Sequence, residues 1–183
     1  MKQTANYLES IRQLFRYYKS LADKAIQQIH DEDIHWQPEG LPNSIAIVVK
    51  HMSGNMLSRW TDFLTSDGEK SWRNRDAEFE ADFNNKSAMS DYWEKGWKCL
   101  FDAIDPLSDE DLQKIVYIRN EGHTVLEAIN RQLSHYSYHT GQIVFLAKMI
   151  CKENWLSLSI PKGDSQSFNR EKFSREKQRK HFV

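Results

Sequence analysis

The chain has 183 residues, with 25 Lys or Arg against 26 Asp or Glu and a formal net charge of −1. That length forms one domain, expected over residues 1–169, followed by a charged tail over 170–183. The balanced charge excludes the global basic field that draws a protein to nucleic acid or anionic lipid, and no apolar run is long enough to cross a bilayer.

The first residues lead into a helix without the apolar region of a secretory leader. Cys99 and Cys151 lie in unrelated segments and form no CxxC, so both are expected as reduced thiols in a cytoplasmic protein. Cys99, beside Leu100 and Phe101, reads as a small core residue rather than a nucleophile.

From Thr4 to His30, apolar residues recur three and four apart: Leu8, Ile11, Leu14, Phe15, Tyr18, Leu21, Ala22, Ala25, Ile26 and Ile29. With no Pro or Gly between them, this predicts a long amphipathic helix. Pro38, Gly40 and Pro42 then make a loop. Asn43 or Ser44 can cap a second helix, which runs through Ile45, Val48, Val49, Met52, Met56 and Leu57 to about Phe63. His51 and Asn55 share one of its faces. Gly54 lies mid-helix, where Gly costs about 1 kcal/mol against Ala; it marks close helix approach or room for a ligand.

Thr65 to Asn85 is a polar stretch with Asp67-Gly68, Trp72, Phe79 and Phe83, and connections of that length are often functional. A third helix follows from about Ser87 to Ile104, with Met89, Trp93, Trp97, Leu100, Phe101 and Ile104 inward, and Pro106 ends it. Ile115 to Ile118 are strand formers and Asn120-Glu121-Gly122 is turn chemistry, which gives a short strand, hairpin or extended connector. Thr124 with Glu127 three residues on is a capping box opening a fourth helix that reaches Cys151. Residues from Lys152 read as loop, and the Lys/Arg-rich end from Arg170 as a solvated tail. The fold class predicted is all-α, a four-helix bundle with long loops.

His135 and His139 are four apart on the fourth helix and project from one face, one turn apart. Both imidazoles can reach one metal ion, and His51 from a neighbouring helix would complete a three-histidine site with open positions, as catalytic metals use. The plain alternative is a pair of surface histidines, or core histidines bonded to carbonyls. His30, His35, His123 and His181 sit in loops, a turn and the tail, and are expected in solvent. Gln142, Asn55 and Tyr138 are candidates to hold the ligands' other ring nitrogens. Glu121 is a possible general base, or simply bonds backbone in its turn. Arg73 and Arg75 either hold a carboxylated thiol bidentately or are solvated loop residues. No Glu follows His135 as in HExxH, so the usual metalloprotease base is missing.

Trp36-Gln37-Pro38, Asn43-Ser44, His51 on helix two, and His135-x-x-x-His139-x-Gly141-Gln142 on helix four occur in this order. This pattern resembles the DinB/YfiT-like family over roughly residues 4 to 169. It is most similar to an uncharacterised branch bearing Asp-Gly-Glu-Lys near residue 67 and Trp72-Arg73-Asn74-Arg75. The resemblance implies an up-down-down-up bundle, often a homodimer, and a divalent metal on His51, His135 and His139. Zn or Ni are the first candidates for that metal, with Fe, Mn or Cu beside them. It also implies a thiol S-transferase joining a low-molecular-weight thiol such as bacillithiol to an electrophile. The partners expected are therefore small molecules, with no nucleic acid or membrane. A bound thiol ionises below its free pKa of about 8.5 and becomes the nucleophile. Bound hydroxide would instead give a hydrolase, and a metal that only stabilises the helices would give a non-catalytic stress-response binding module.

Overall fold

The structure is a computed structural model that describes residues 3–40, 42–80 and 82–178. Met1 and Lys2, where the expected absence of a leader was read, Leu41 of the first loop, and His181 with the end of the tail lie outside the described residues. In chain order the elements are α1 (Gln3–Gln28), α2 (Ile45–Trp60), α3 (Lys86–Ile104), β1 (Ile115–Ile118), β2 (Glu121–Thr124), α4 (Val125–Cys151) and α5 (Ser165–Phe173). Short 3-10 turns lie between them, one at Asp76–Phe79. Among the described residues no helix is long and apolar enough to cross a membrane.

The helix starts follow from their caps. Ser44 Oγ accepts the Ile47 N–H at 3.3 Å and opens α2. Asn85 Oδ1 accepts the Ala88 N–H at 2.8 Å and opens α3. At α4 the expected capping box forms: Thr124 Oγ1 accepts from Glu127 N–H at 3.2 Å, and the Glu127 carboxylate accepts the Thr124 N–H at 2.8 Å. Each such cap is worth about 0.5–2 kcal/mol.

α1 packs along α4, α2 along α3, and α2 also meets α4. Each of these four helices sends one aromatic residue to the centre: Phe15, Trp60, Trp97 and Tyr136, all buried. Phe15 lies 6.3 Å from Trp60, 6.5 Å from Trp97 and 6.1 Å from Tyr136, ring centre to ring centre. Tilted and edge-on pairs at such spacings add about 0.5–1.5 kcal/mol each beyond area burial. The α2 and α3 backbones touch at Gly96, where a Cβ would meet Ser53 Cα at 2.9 Å.

The Tyr136 hydroxyl accepts from Trp60 Nε1 at 3.1 Å and donates to Asn55 Oδ1 at 2.9 Å, so α2 and α4 are tied by polar bonds inside the apolar centre. Tyr136→Phe leaves both partners short of a bond. The loss expected is about 1–3 kcal/mol of stability, read as a lower urea midpoint at unchanged slope.

Three boundaries differ from expectation. α2 stops at Trp60 rather than near Phe63, because Thr61 leaves the helical region and Asp62 is left-handed at φ 49°. Residues 165–173, read as loop and tail, form the exposed helix α5, a piece with no buried residue that composition alone did not distinguish from loop. The hairpin turn is Arg119-Asn120, and Glu121-Gly122-His123 belongs to β2, whose register pairs Ile118 with Glu121 and Ile115 with Thr124.

The reason for that turn lies far away in sequence. Both of its residues are left-handed, at φ 57° and 63°, as a two-residue hairpin turn requires. Asp67 Oδ1 accepts the Arg119 N–H at 2.9 Å and Oδ2 accepts the Asn120 N–H at 2.8 Å. Burial opposes ionisation of Asp67, but these amides and that of Glu69 hold its carboxyl below the usual range. The adjacent Gly68 N–H donates to Tyr117 O at 2.8 Å. The long loop and the hairpin are thus one clamped unit over the α2 and α4 edge.

Candidate metal centre

With Tyr136 turned into the core, its neighbour His135 and the next-turn residue His139 fall on the flank of α4 that faces α2. His51 meets them there from α2. His135 Nε2 lies 3.3 Å from His51 Nε2 and 3.0 Å from His139 Nε2. One ligand atom from each residue lies within 4.8 Å of the other two. Zn–N bonds of about 2.0–2.1 Å in a tetrahedron put ligand nitrogens about 3.3 Å apart, so the spacing suits one cation.

The opposite ring nitrogens decide which lone pairs are free. His51 Nδ1 lies 2.9 Å from Glu78 Oε2, and His139 Nδ1 lies 2.7 Å from Gln142 Oε1. Both oxygens accept, so both Nδ1 atoms carry the proton, and in a neutral ring that leaves the Nε2 lone pair bare. Neutral rings would then turn two lone pairs on the third Nε2, whose single proton cannot serve both, and a cation would satisfy all three. Ligating histidines generally donate their second N–H to an oxygen in this way.

Burial pushes the His135 pKa down to about 3, helped by the nearby histidines and by Arg59 and Arg73. Burial likewise lowers His139 to about 4, against the opposing bond to Gln142. At neutral pH both rings are therefore uncharged, the state that ligates metal.

Glu78 is the residue sequence reasoning missed. It is buried, and burial alone would raise its pKa, but the His51 N–H and the Arg73 guanidinium outweigh that and hold it ionised. Arg73 Nε and Nη2 donate to its two oxygens at 2.7 and 2.9 Å. The carboxylate passes over Gly54, where a Cβ would lie 2.5 Å from Glu78 Oε1. The room at Gly54 therefore belongs to Glu78. The signals in the sequence were two: His51 would need an acceptor if it ligates, and a glycine stands one turn after it. Neither says which of many acidic residues answers. Phe79, next to Glu78, stacks on the His51 ring at 5.0 Å.

Gln142 meets His139 Nδ1, while Asn55 is bonded to Tyr136 instead. Tyr138 acts one step back, accepting from Gln142 Nε2 at 3.2 Å. Glu121 is exposed on β2. Arg73 is committed to Glu78 and Glu69, while Arg75 lies over the Phe79 ring at 5.2 Å. His30 and His35 are exposed as expected. His123 is instead half-buried on β2, with Nε2 lacking a partner among the described residues, because the hairpin turn lies earlier than predicted. Cys99 and Cys151 are free thiols, and burial raises the pKa of each.

A cavity of about 250 Å³ opens beside His51 and His135, walled by Asn55, Gln132 and five arginines. No carboxylate lines it. No curated protein matches the chain. The family described as Protein of unknown function (DUF1572) matches residues 2–164, ending where α5 begins. Its match spans all three histidines and Glu78, and the chain belongs to the DUF1572 family.

Proposed function

We propose that this protein is a metal-dependent thiol S-transferase, built on a DinB/YfiT-like four-helix bundle in up-down-down-up order. The observation that carries the reading is the convergence of three Nε2 atoms, two of them with tautomers set by Glu78 and Gln142. A divalent cation there, Zn or Ni first, would lower the pKa of a coordinated thiol below its free value of about 8.5.

The chain's own residues do the rest. His51, His135 and His139 would hold the cation, and Glu78 and Gln142 fix two of the rings. Phe79 covers the His51 ring and limits water on that side. The arginine-walled cavity holds the substrates next to His135. The thiol sulfur forms a bond to the electrophilic carbon, the carbon–halogen bond breaks when the electrophile is a halide, and the thiol proton leaves to solvent. With no carboxylate on the cavity wall to act as general base, a nucleophile ionised by the cation suits this site. The two unpaired cysteines suit a cytoplasmic protein, and the resemblance suggests a homodimer with small-molecule partners.

The test is conjugation of bacillithiol to a chloro-nitroarene by protein loaded with Zn or Ni. Thioether formation that disappears on chelation and returns with metal is the expected result. Turnover of esters or amides without any thiol would replace this reading with a metal hydrolase. Stabilisation by metal with no turnover at all would leave a binding module.

A further inference from the structure

The cavity beside the histidines has a charge pattern that selects its ligand. Arg59, Arg73, Arg75, Arg119 and Arg131 line it. The acids ion-paired to them among the described residues are Glu69 and Glu78: Glu69 bonds Arg59, Arg73 and Arg119, and Glu78 bonds Arg73. Two carboxylates face five guanidiniums, which leaves three positive charges uncompensated before any cation binds. Among the described residues the Arg131 and Arg75 side chains make no hydrogen bond or ion pair, and Arg75 lies over the Phe79 ring.

Two buried polar groups also wait for a partner. Arg59 is 7% exposed, and its Nε has none. Gln132 is 3% exposed, and its Oε1 has none. An unpaired buried polar atom costs on the order of 1–3 kcal/mol, and here both residues line the same cavity. The Arg119 side is built at a cost too, since its left-handed backbone depends on the Asp67 clamp.

We propose that this cavity binds a small dianion, a vicinal dicarboxylate or a phosphate group, as the anionic end of a substrate whose reactive end lies against His135. The volume of about 250 Å³ has room for a compact anionic group. Arg59, Arg119 and Arg131 grip the anion, and Gln132 Oε1 accepts from a hydroxyl or N–H beside it. Arg73 is a positioning residue, since its donors are spent on Glu78 and Glu69. The inference deepens the thiol-transferase reading and rests on it for the reaction, while the binding stands by itself.

The test is calorimetric titration of metal-free protein with succinate and, separately, with inorganic phosphate. Without metal, an anion cannot score by coordinating the cation, so a failure here is distinct from absence of a metal centre. Saturable binding of either probe is expected, weakened about tenfold or more in Arg131→Gln and Arg119→Gln and retained in Arg170→Gln, an exposed arginine on α5 outside the cavity. All three arginines are exposed, so the variants keep the fold, checked by circular dichroism. Succinate alone assigns a dicarboxylate; phosphate alone assigns a phosphoryl group. No saturable binding of either probe, or binding unchanged in both Arg131→Gln and Arg119→Gln, overturns the proposal.

Discussion

Protein grown with Zn or Ni is expected to carry near-stoichiometric metal, and His51→Ala, His135→Ala and His139→Ala are expected to carry almost none. Elemental mass spectrometry on untagged protein reads this directly. Three nitrogens set the geometry, and removing one leaves two ligands and a gap on a half-buried flank. The effect should also appear in stability. A ligand that binds only the folded state adds about 4 kcal/mol at a thousand times its dissociation constant. Wild-type protein should therefore melt well above its chelated form, and the three variants should show little response to metal. His30→Ala and His35→Ala serve as controls, because both residues are exposed and neither belongs to the cluster. Wild-type protein that stays metal-free after supplementation with Zn, Ni, Fe and Mn would remove the basis for the proposed reaction.

Gly54→Ala should raise helix propensity and yet weaken metal binding about 10- to 100-fold. By propensity alone the change favours α2 by about 1 kcal/mol. The new methyl, however, would stand 2.5 Å from Glu78 Oε1 and 2.9 Å from its Cδ. A carboxylate end could ordinarily swing aside. This one is held by two bonds from Arg73 and one from His51, so moving it breaks the bond that sets the His51 tautomer. Chelator competition measures the affinity, and circular dichroism shows that α2 is intact. The decisive comparison is the double-mutant cycle with Glu78→Ala. In that background the clash is gone, and Gly54→Ala should leave metal affinity unchanged. Equal losses in both backgrounds, or no loss in either, would mean that Glu78 does not position His51.

The two predictions separate what is local in this chain from what is not. The capping box at Thr124 and Glu127, the aromatic and aliphatic spacing of α1 to α4, and the facing pair His135 and His139 all depend on neighbours within one or two helical turns. Periodicity and cap chemistry make those legible. The grouping of His51 with that pair was read from its place on an apolar-rich helix and from resemblance, and the Nε2 separations support it.

The acidic and basic parts of the site were less legible. Residues 65–85 read only as a polar connection, yet Asp67 clamps the hairpin turn, Glu69 bonds three arginines, and Glu78 serves His51. The same stretch held Arg73 and Arg75 as candidates, but nothing in its composition marked Arg73 as Glu78's partner. Arg59, Arg119 and Arg131 come from α2, a hairpin turn and α4, and share no motif. α5 and the early hairpin turn escaped for a related reason: one buries nothing, and the other is held by a carboxylate more than fifty residues away.

Residue order alone therefore established four long helices, their starts, and a histidine pair one turn apart, because each needs only short-range periodicity and backbone hydrogen bonding. Tertiary structure alone decided that Glu78 occupies the space over Gly54, that Asp67 holds Arg119 above the cavity, and that five arginines face one wall. Those outcomes depend on which distant surfaces the packing of Phe15, Trp60, Trp97 and Tyr136 brings together, and no local pattern encodes a contact between side chains that meet only after the core has closed.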